Sequence, residues 1–232
     1  MSRGTRLVMW DVDHTLLAAG GVAQLAYAPA FTAVTGVAWR EMAFSAGRTD
    51  RDIAAETFAM HGIDDCEPHL DAFFTVFAAE FAARRELLVT HGHVLPGVRE
   101  VLSALGTRPH VVQTLVTGNI RPVAVDKLAA FDLAVHVDFD IGGYGTDDLV
   151  RATLVRRSLE RAAAKHGRAF EPSEVVVVGD TAYDVTAALA NGVTAVAVAT
   201  GGTSAEALAA AGAHFVLDDL SDVDAVVTLL AG

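Results

Sequence analysis

Short apolar runs alternate with longer, helix-like segments along this chain. Five runs are nearly continuous in apolar character: Leu7–Trp10, His110–Val116, Glu174–Val178, Thr194–Ala199 and His214–Leu217. Continuous runs are expected of strands buried on both faces, as in a parallel sheet covered by helices. Between them, Val98–Leu105, Val123–Ala130, Leu149–His166 and Ala182–Ala190 read as helices. Pro96-Gly97 and Arg121-Pro122 precede two of these, and Asn191-Gly192 is a plausible C-cap for the last. Alternating strand and helix predicts an α/β fold with a mostly parallel sheet.

Residues 17–92 break this rhythm. No strand pattern stands out there, and Gly20–Thr35, Thr49–His61 and Glu67–Leu88 read as helices rich in Ala, Phe and Leu. The break predicts an α-helical insertion over 17–92, a cap domain placed on a core built from 1–16 and 93–232. The plainer alternative is a set of helices packed on one face of a single domain.

Composition narrows the function. At 232 residues the chain fits one domain, or one domain carrying an insertion. A net charge of −12 gives a phosphate backbone or an anionic lipid surface little to grip, so neither nucleic acid nor membrane is an expected partner. The single cysteine, Cys66, excludes an intramolecular disulfide and any all-cysteine metal site. No signal-peptide pattern and no run of membrane-spanning length is apparent, so a cytoplasmic location is expected.

Polar clusters fall where the apolar runs stop. Asp11, Asp13 and Thr15 follow the first run, and paired carboxylates repel unless something positive sits between them. Thr117-Gly118-Asn119 follows the second run, Gly179-Asp180 through Asp184 the third, and Thr200 to Ser204 the fourth. Ligands of open parallel sheets bind at the carboxyl ends of strands. Asp11, Asp180 and Asp184 offer hard oxygens and no soft ligand, which suits Mg²⁺. With a phosphate held there, one carboxylate can attack phosphorus while Asp13 moves the proton of the leaving oxygen. Thr117 and the N–H groups after it can hold phosphoryl oxygens, and a cationic side chain is still needed.

Asp11-x-Asp13-x-Thr15, Thr117-Gly118-Asn119 and Gly179-Asp180-x-x-x-Asp184, in this order, resemble motifs I, II and IV of the haloacid dehalogenase-like hydrolases. The resemblance implies a Rossmann-like core with a type-1 helical cap. It implies Asp11 as nucleophile, Asp13 as acid and base, and Thr117 as a phosphate ligand, with Thr15, Gly118 and Asn119 on the substrate side. Asp11, the Asp13 backbone carbonyl and Asp180 would hold Mg²⁺, supported by Asp184. Arg151, after the turn Gly143-Tyr144-Gly145, resembles the motif III cation; Arg156, Arg157 and Lys127 compete with it. Ala46 to Asp50 resembles a cap loop that reaches the site, with Arg48 a substrate contact, although Thr49 or Asp50 would equally serve as an N-cap. His14 stands where most relatives have glycine, which suggests a less extreme backbone angle there. His61, His91 and His93 are assigned to surfaces or hinges.

The resemblance implies a Mg²⁺-dependent phosphatase for a small phosphorylated metabolite, phosphoglycolate-phosphatase-like, acting as monomer or homodimer. Asp13 argues against a dehalogenase, and the absence of lysine from 17–92 argues against a phosphonatase. A β-phosphoglucomutase-like phosphotransferase keeps both aspartates and is the alternative. A non-catalytic binding protein on the same scaffold is the reading from another class.

Overall fold

The computed structural model describes residues 5–232; residues 1–4 of the expected core lie outside the described residues. Strand β1 (Arg6–Trp10) leads to a two-residue strand β2 (Leu17–Ala18) and four helices, α1 (Val22–Thr35), α2 (Asp50–Met60), α3 (Glu67–Ala82) and α4 (Arg85–His91). Strand β3 (His93–Val94) precedes α5 (Val98–Gly106), β4 (Val111–Leu115), α6 (Arg121–Ala130) and α7 (Arg151–His166). The chain ends with β5 (Val175–Gly179), α8 (Ala182–Ala190), β6 (Thr194–Val198), α9 (Ala205–Ala210), β7 (Phe215–Leu217) and α10 (Val223–Ala231).

Five strands form one parallel sheet in the order β4-β1-β5-β6-β7. This is the α/β parallel sheet that the alternation predicts and the Rossmann-like core that the resemblance implies. The apolar runs are continuous because both faces of the sheet are covered. Val8, Trp10, Val176 and Val178 enter one hydrophobic cluster, while Leu7, Met9, Val175 and Val177 enter the other. Register then positions the site. Trp10 lies opposite Leu115 on β4 and Val178 on β5, so the residues that follow these three strands emerge on one rim.

The helices α1–α4 form where residues 17–92 interrupt the sheet. Their own core is aromatic: Tyr27 meets Phe73 edge-on at 4.9 Å between centroids, and Phe31 meets Phe58 at 5.1 Å. That core is continuous with one face of the sheet. One expectation fails at the ends of the segment. Leu17–Ala18 pairs antiparallel with His93–Val94, and the Leu95 N–H donates to Leu16 O at 3.1 Å, so the two ends of the helical run are tied together. His61 is a second departure. It is buried against Phe31 and Trp39, its Nδ1 faces Thr57 O at 2.7 Å, and its Nε2 accepts from the Arg40 N–H. Helices α9 and α10 were not evident in the sequence; Ser204 and Asp222 cap them by accepting from the backbone N–H of Ala207 and Ala225. Among the described residues, no helix is long and apolar enough to cross a membrane.

Candidate active site

Asp11 is the first residue past β1, and its N–H donates to Val178 O at 2.9 Å. The chain then turns tightly, with Leu16 N–H on Val12 O and His14 N–H on Leu17 O. His14 sits at φ 60°, so the left-handed angle is kept despite the side chain, contrary to the expectation of a milder one. Histidine is among the residues that tolerate this region best.

Thr117 follows β4, held by an N–H bond to Gly143 O at 3.1 Å. The next residue, Gly118, allows a close approach: a Cβ there would stand 2.0 Å from the Arg48 carbonyl oxygen. Asp180 and Asp184 follow β5. Thr181 caps α8, and Asp184 Oδ2 accepts from both its N–H (3.1 Å) and its Oγ1 (2.6 Å). This leaves Asp184 Oδ1 facing the site, where it pairs with Arg151 Nη2 at 2.6 Å. A side chain at Gly201 is excluded, since a Cβ would stand 1.8 Å from Asp180 Oδ2.

Two buried cations divide the aspartates between them. Arg151, at the start of α7, also pairs through Nη2 with Asp11 Oδ1 at 2.6 Å. Lys127, on α6, donates to both oxygens of Asp13 at 2.7 and 2.6 Å and to Asn119 Oδ1 at 2.7 Å. Asn119 in turn donates from Nδ2 to Asp13 Oδ2 at 2.7 Å and to Thr117 Oγ1 at 2.8 Å. Of the four cations weighed from the sequence, Arg151 therefore meets Asp11 and Asp184, and Lys127 meets Asp13. Arg156 and Arg157 are exposed and face Glu160. The tie from Lys127 to Asp13 was missed. Its signal was a lysine on the buried helical stripe of Val123, Ala124 and Leu128.

Thr15 lies behind the aspartates. It is not on the cavity wall; its hydroxyl donates to Asp180 Oδ1 at 3.4 Å, so it orients a carboxylate from behind. Arg48 does line the cavity, but its guanidinium is occupied by Asp52 (2.5 Å), Glu56 and Phe44 O. The loop carrying it is sewn to the sheet rim. Asp50 N–H donates to Gly118 O at 2.7 Å, Arg51 N–H to Gly145 O at 3.1 Å, and Ile120 N–H to Asp50 Oδ2 at 2.8 Å. Thr49 also caps α2, accepting from Asp52 N–H. The cavity between rim and helices is about 810 Å³, with Asp11, Asp13, Thr117, Asn119, Lys127 and Asp180 on the rim side.

The acidic cluster suits a hard cation. One oxygen from each of Asp11, Asp180 and Asp184 lies within 4.8 Å of the others, and all three residues are buried. Asp184 Oδ1 makes the ion pair with Arg151 but no hydrogen bond, which leaves lone-pair capacity. Burial, opposed by Arg151 and reinforced by Asp184 and Asp13, pushes Asp11 up to about 7. Burial and the charges of Asp11 and Asp184 push Asp180 up to about 8. Carboxylates that resist ionisation together are what a divalent ion relieves. Asp13 moves the other way. Burial would raise it, but the Lys127 charge and the hydrogen bonds of Lys127 and Asn119 outweigh this and hold it below the usual range.

Known structures share this arrangement of strands and helices. A hydrolase from Pseudomonas syringae is 23% identical, with 98% of this chain and 100% of that chain covered at a TM-score of 0.63. A predicted phosphoglycolate phosphatase from Haemophilus somnus is 17% identical, with 97% and 99% covered at 0.64. In sequence, 135 residues are 31% identical to part of the non-reducing polyketide synthase atr1 of Stereocaulon alpinum. That match covers 58% of this chain and 5% of the synthase, so the chain spans only a small part of that relative. The sequence model of the haloacid dehalogenase-like hydrolases matches residues 8–189, from β1 through the Asp184 turn. The chain belongs to the haloacid dehalogenase-like hydrolase family.

Proposed function

We propose that the chain is a Mg²⁺-dependent phosphatase for a small phosphorylated molecule, with residues 17–92 acting as a cap over the site. The observation that carries this reading is the split of the two aspartates. Asp11 lies with Arg151 among the other buried carboxylates, and Asp13, two residues on, lies with Lys127 and Asn119. Two carboxylates in two environments can take two roles.

Asp11, Asp180 and the Asp13 backbone carbonyl would hold the ion, with Asp184 in support. Bound there, Mg²⁺ would offset the charge of the phosphoryl group. An Asp11 oxygen attacks phosphorus, the bond from phosphorus to the ester oxygen breaks, and Asp13 gives its proton to the departing alkoxide. In the second half Asp13 takes a proton from water as the water oxygen attacks phosphorus. Asp11 leaves as a carboxylate, inorganic phosphate is released, and Asp13 is again protonated for the next turnover. Held low by Lys127 and Asn119, Asp13 is suited to the base role of the second half, and the acid role of the first half works against that shift. Thr117 Oγ1 accepts from Asn119 and keeps its own proton to donate to a phosphoryl oxygen. Arg151 holds Asp11 in line and offsets charge on the transferring group.

Hydrolysis of p-nitrophenyl phosphate should require Mg²⁺, stop with EDTA and return on readdition. A phosphorylated Asp11 should be trapped by rapid acid quench and mass spectrometry. Metal-independent turnover, or a label on another residue, would overturn the reading.

A further inference from the structure

We infer that the alcohol released by this enzyme is uncharged and largely apolar. The inference rests on the phosphatase reading and concerns the half of the cavity that the chemistry does not use. The wall contributed by 17–92 is built mainly from Ala23, Tyr27, Met42, Phe44, Ile53 and Phe77, with the uncharged polar groups of Gln24 and the Tyr27 hydroxyl among them. Among the described residues, Arg48 and Asp50 are the only charged side chains that this segment places on the wall.

Neither is free to meet a charged substrate. Arg48 is held by Asp52 and Glu56 on α2, so its surroundings carry one more negative charge than positive. Asp50 accepts from the Ile120 N–H, and burial pushes it up to about 6. On the rim side, Arg151 is shared between Asp11 and Asp184, and Lys127 is bound by Asp13. His14 lines the cavity and is exposed to solvent. A carboxylate on the leaving group would lose its hydration in this cavity and gain no cationic partner. An alkyl or aryl body would exchange water for the Met, Ile and aromatic side chains at no such cost. The cavity, about 810 Å³, has room for such a body beside the phosphate. The same wall excludes the short carboxylated esters that a phosphoglycolate phosphatase would take.

The test uses two esters matched in length, n-butyl phosphate and 4-phosphooxybutanoate, with p-nitrophenyl phosphate as the reference. The wild-type enzyme should favour n-butyl phosphate by about tenfold or more in kcat/KM. The double variant Asp52→Asn, Glu56→Gln removes the charges that neutralise Arg48 without touching the rim, and both side chains are exposed enough to be neutralised without loss of fold. It should narrow that ratio by raising kcat/KM for the carboxylated ester alone. Equal or better turnover of 4-phosphooxybutanoate by the wild type overturns the inference and leaves the phosphatase reading standing. So does turnover of p-nitrophenyl phosphate with neither alkyl ester accepted. A double variant with an unchanged ratio also counts against it, since Arg48 would then not govern charge selection. Failure on all three esters would remove the phosphatase reading as well.

Discussion

On the rim side of the cavity, buried charges are paired with partners of opposite sign, Arg151 between Asp11 and Asp184 and Lys127 against Asp13, while Asp180 has no cation of its own among the described residues. On the helical side, the wall is mainly methyl, thioether and aromatic surface with Gln24 and Asp50 among it, and its one guanidinium, on the loop before α2, is neutralised by Asp52 and Glu56 of that helix. The rim depends on hydrogen-bond geometry set by strand register, where an error of one residue would turn each side chain to the other face. The helical wall depends on shape and tolerates substitutions of similar volume. Substitutions on the rim should therefore change rate and stability steeply, whereas those on the helical wall should change binding gently.

The largest effect is expected from Asp11→Asn, which leaves the fold intact by circular dichroism but lowers kcat by roughly 10⁴-fold. Substantial residual turnover would place the nucleophile elsewhere. Arg151→Met should come next, because it leaves Asp11 and Asp184 buried without their cation. The cost is about 3–5 kcal/mol by chemical denaturation, and Mg²⁺ should restore part of it. An unchanged denaturation midpoint would mean that the acidic cluster does not depend on Arg151. Lys127→Met should lower kcat by about 10²-fold while KM moves little, since Asp13 loses the group that fixes it. A rise in KM alone would make Lys127 a substrate ligand instead.

The pH dependence of stability sharpens the contrast further. Asp11 and Asp180 have folded-state pKa values raised to about 7 and 8. A raised carboxylate contributes stability that is fully present below its unfolded value of about 4 and is lost as pH rises through the folded value. Without metal, Tm should fall between about pH 4 and 8, and added Mg²⁺ should flatten that slope. A metal-free slope of opposite sign would contradict the shared burial of these groups. The smallest effect belongs to the helical wall. Met42→Ala should raise KM by about three- to tenfold for an apolar ester, with kcat unchanged.

Much of the rim was legible because strand ends have a sequence signature. β-branched runs such as Val175–Val178 announce burial on both faces, and the Gly-Asp pair that follows marks the exit. Asp11, Thr117 and Asp180 could be placed together on that basis. Other features left no local trace. Leu17–Ala18 pairs with His93–Val94, and two residues carry no period to read. Thr15 belongs to a motif that faces the cavity, and the turn after Val12 directs its hydroxyl to Asp180, a contact 165 positions away. His61 looked polar and peripheral, but its backbone partners, Thr57 O and Arg40 N–H, let it sit in an aromatic core. Lys127 stood out only as a charge on an apolar stripe, and its partner lies 114 positions away.

The antiparallel pairing of Leu17–Ala18 with His93–Val94 also bears on how such a chain can change. Because Leu16 and Leu95 are already hydrogen-bonded, the intervening residues form a closed excursion whose length does not strain the sheet. Lengthening such a loop costs only about 0.6 kcal/mol of closure entropy per doubling. A different helical segment grafted at these two points would keep the strand register, and with it the spacing of Asp11, Thr117 and Asp180. Selectivity could then be exchanged as one piece, provided the graft again supplies the hydrogen bonds that Asp50 makes with Gly118 and Ile120 on the rim.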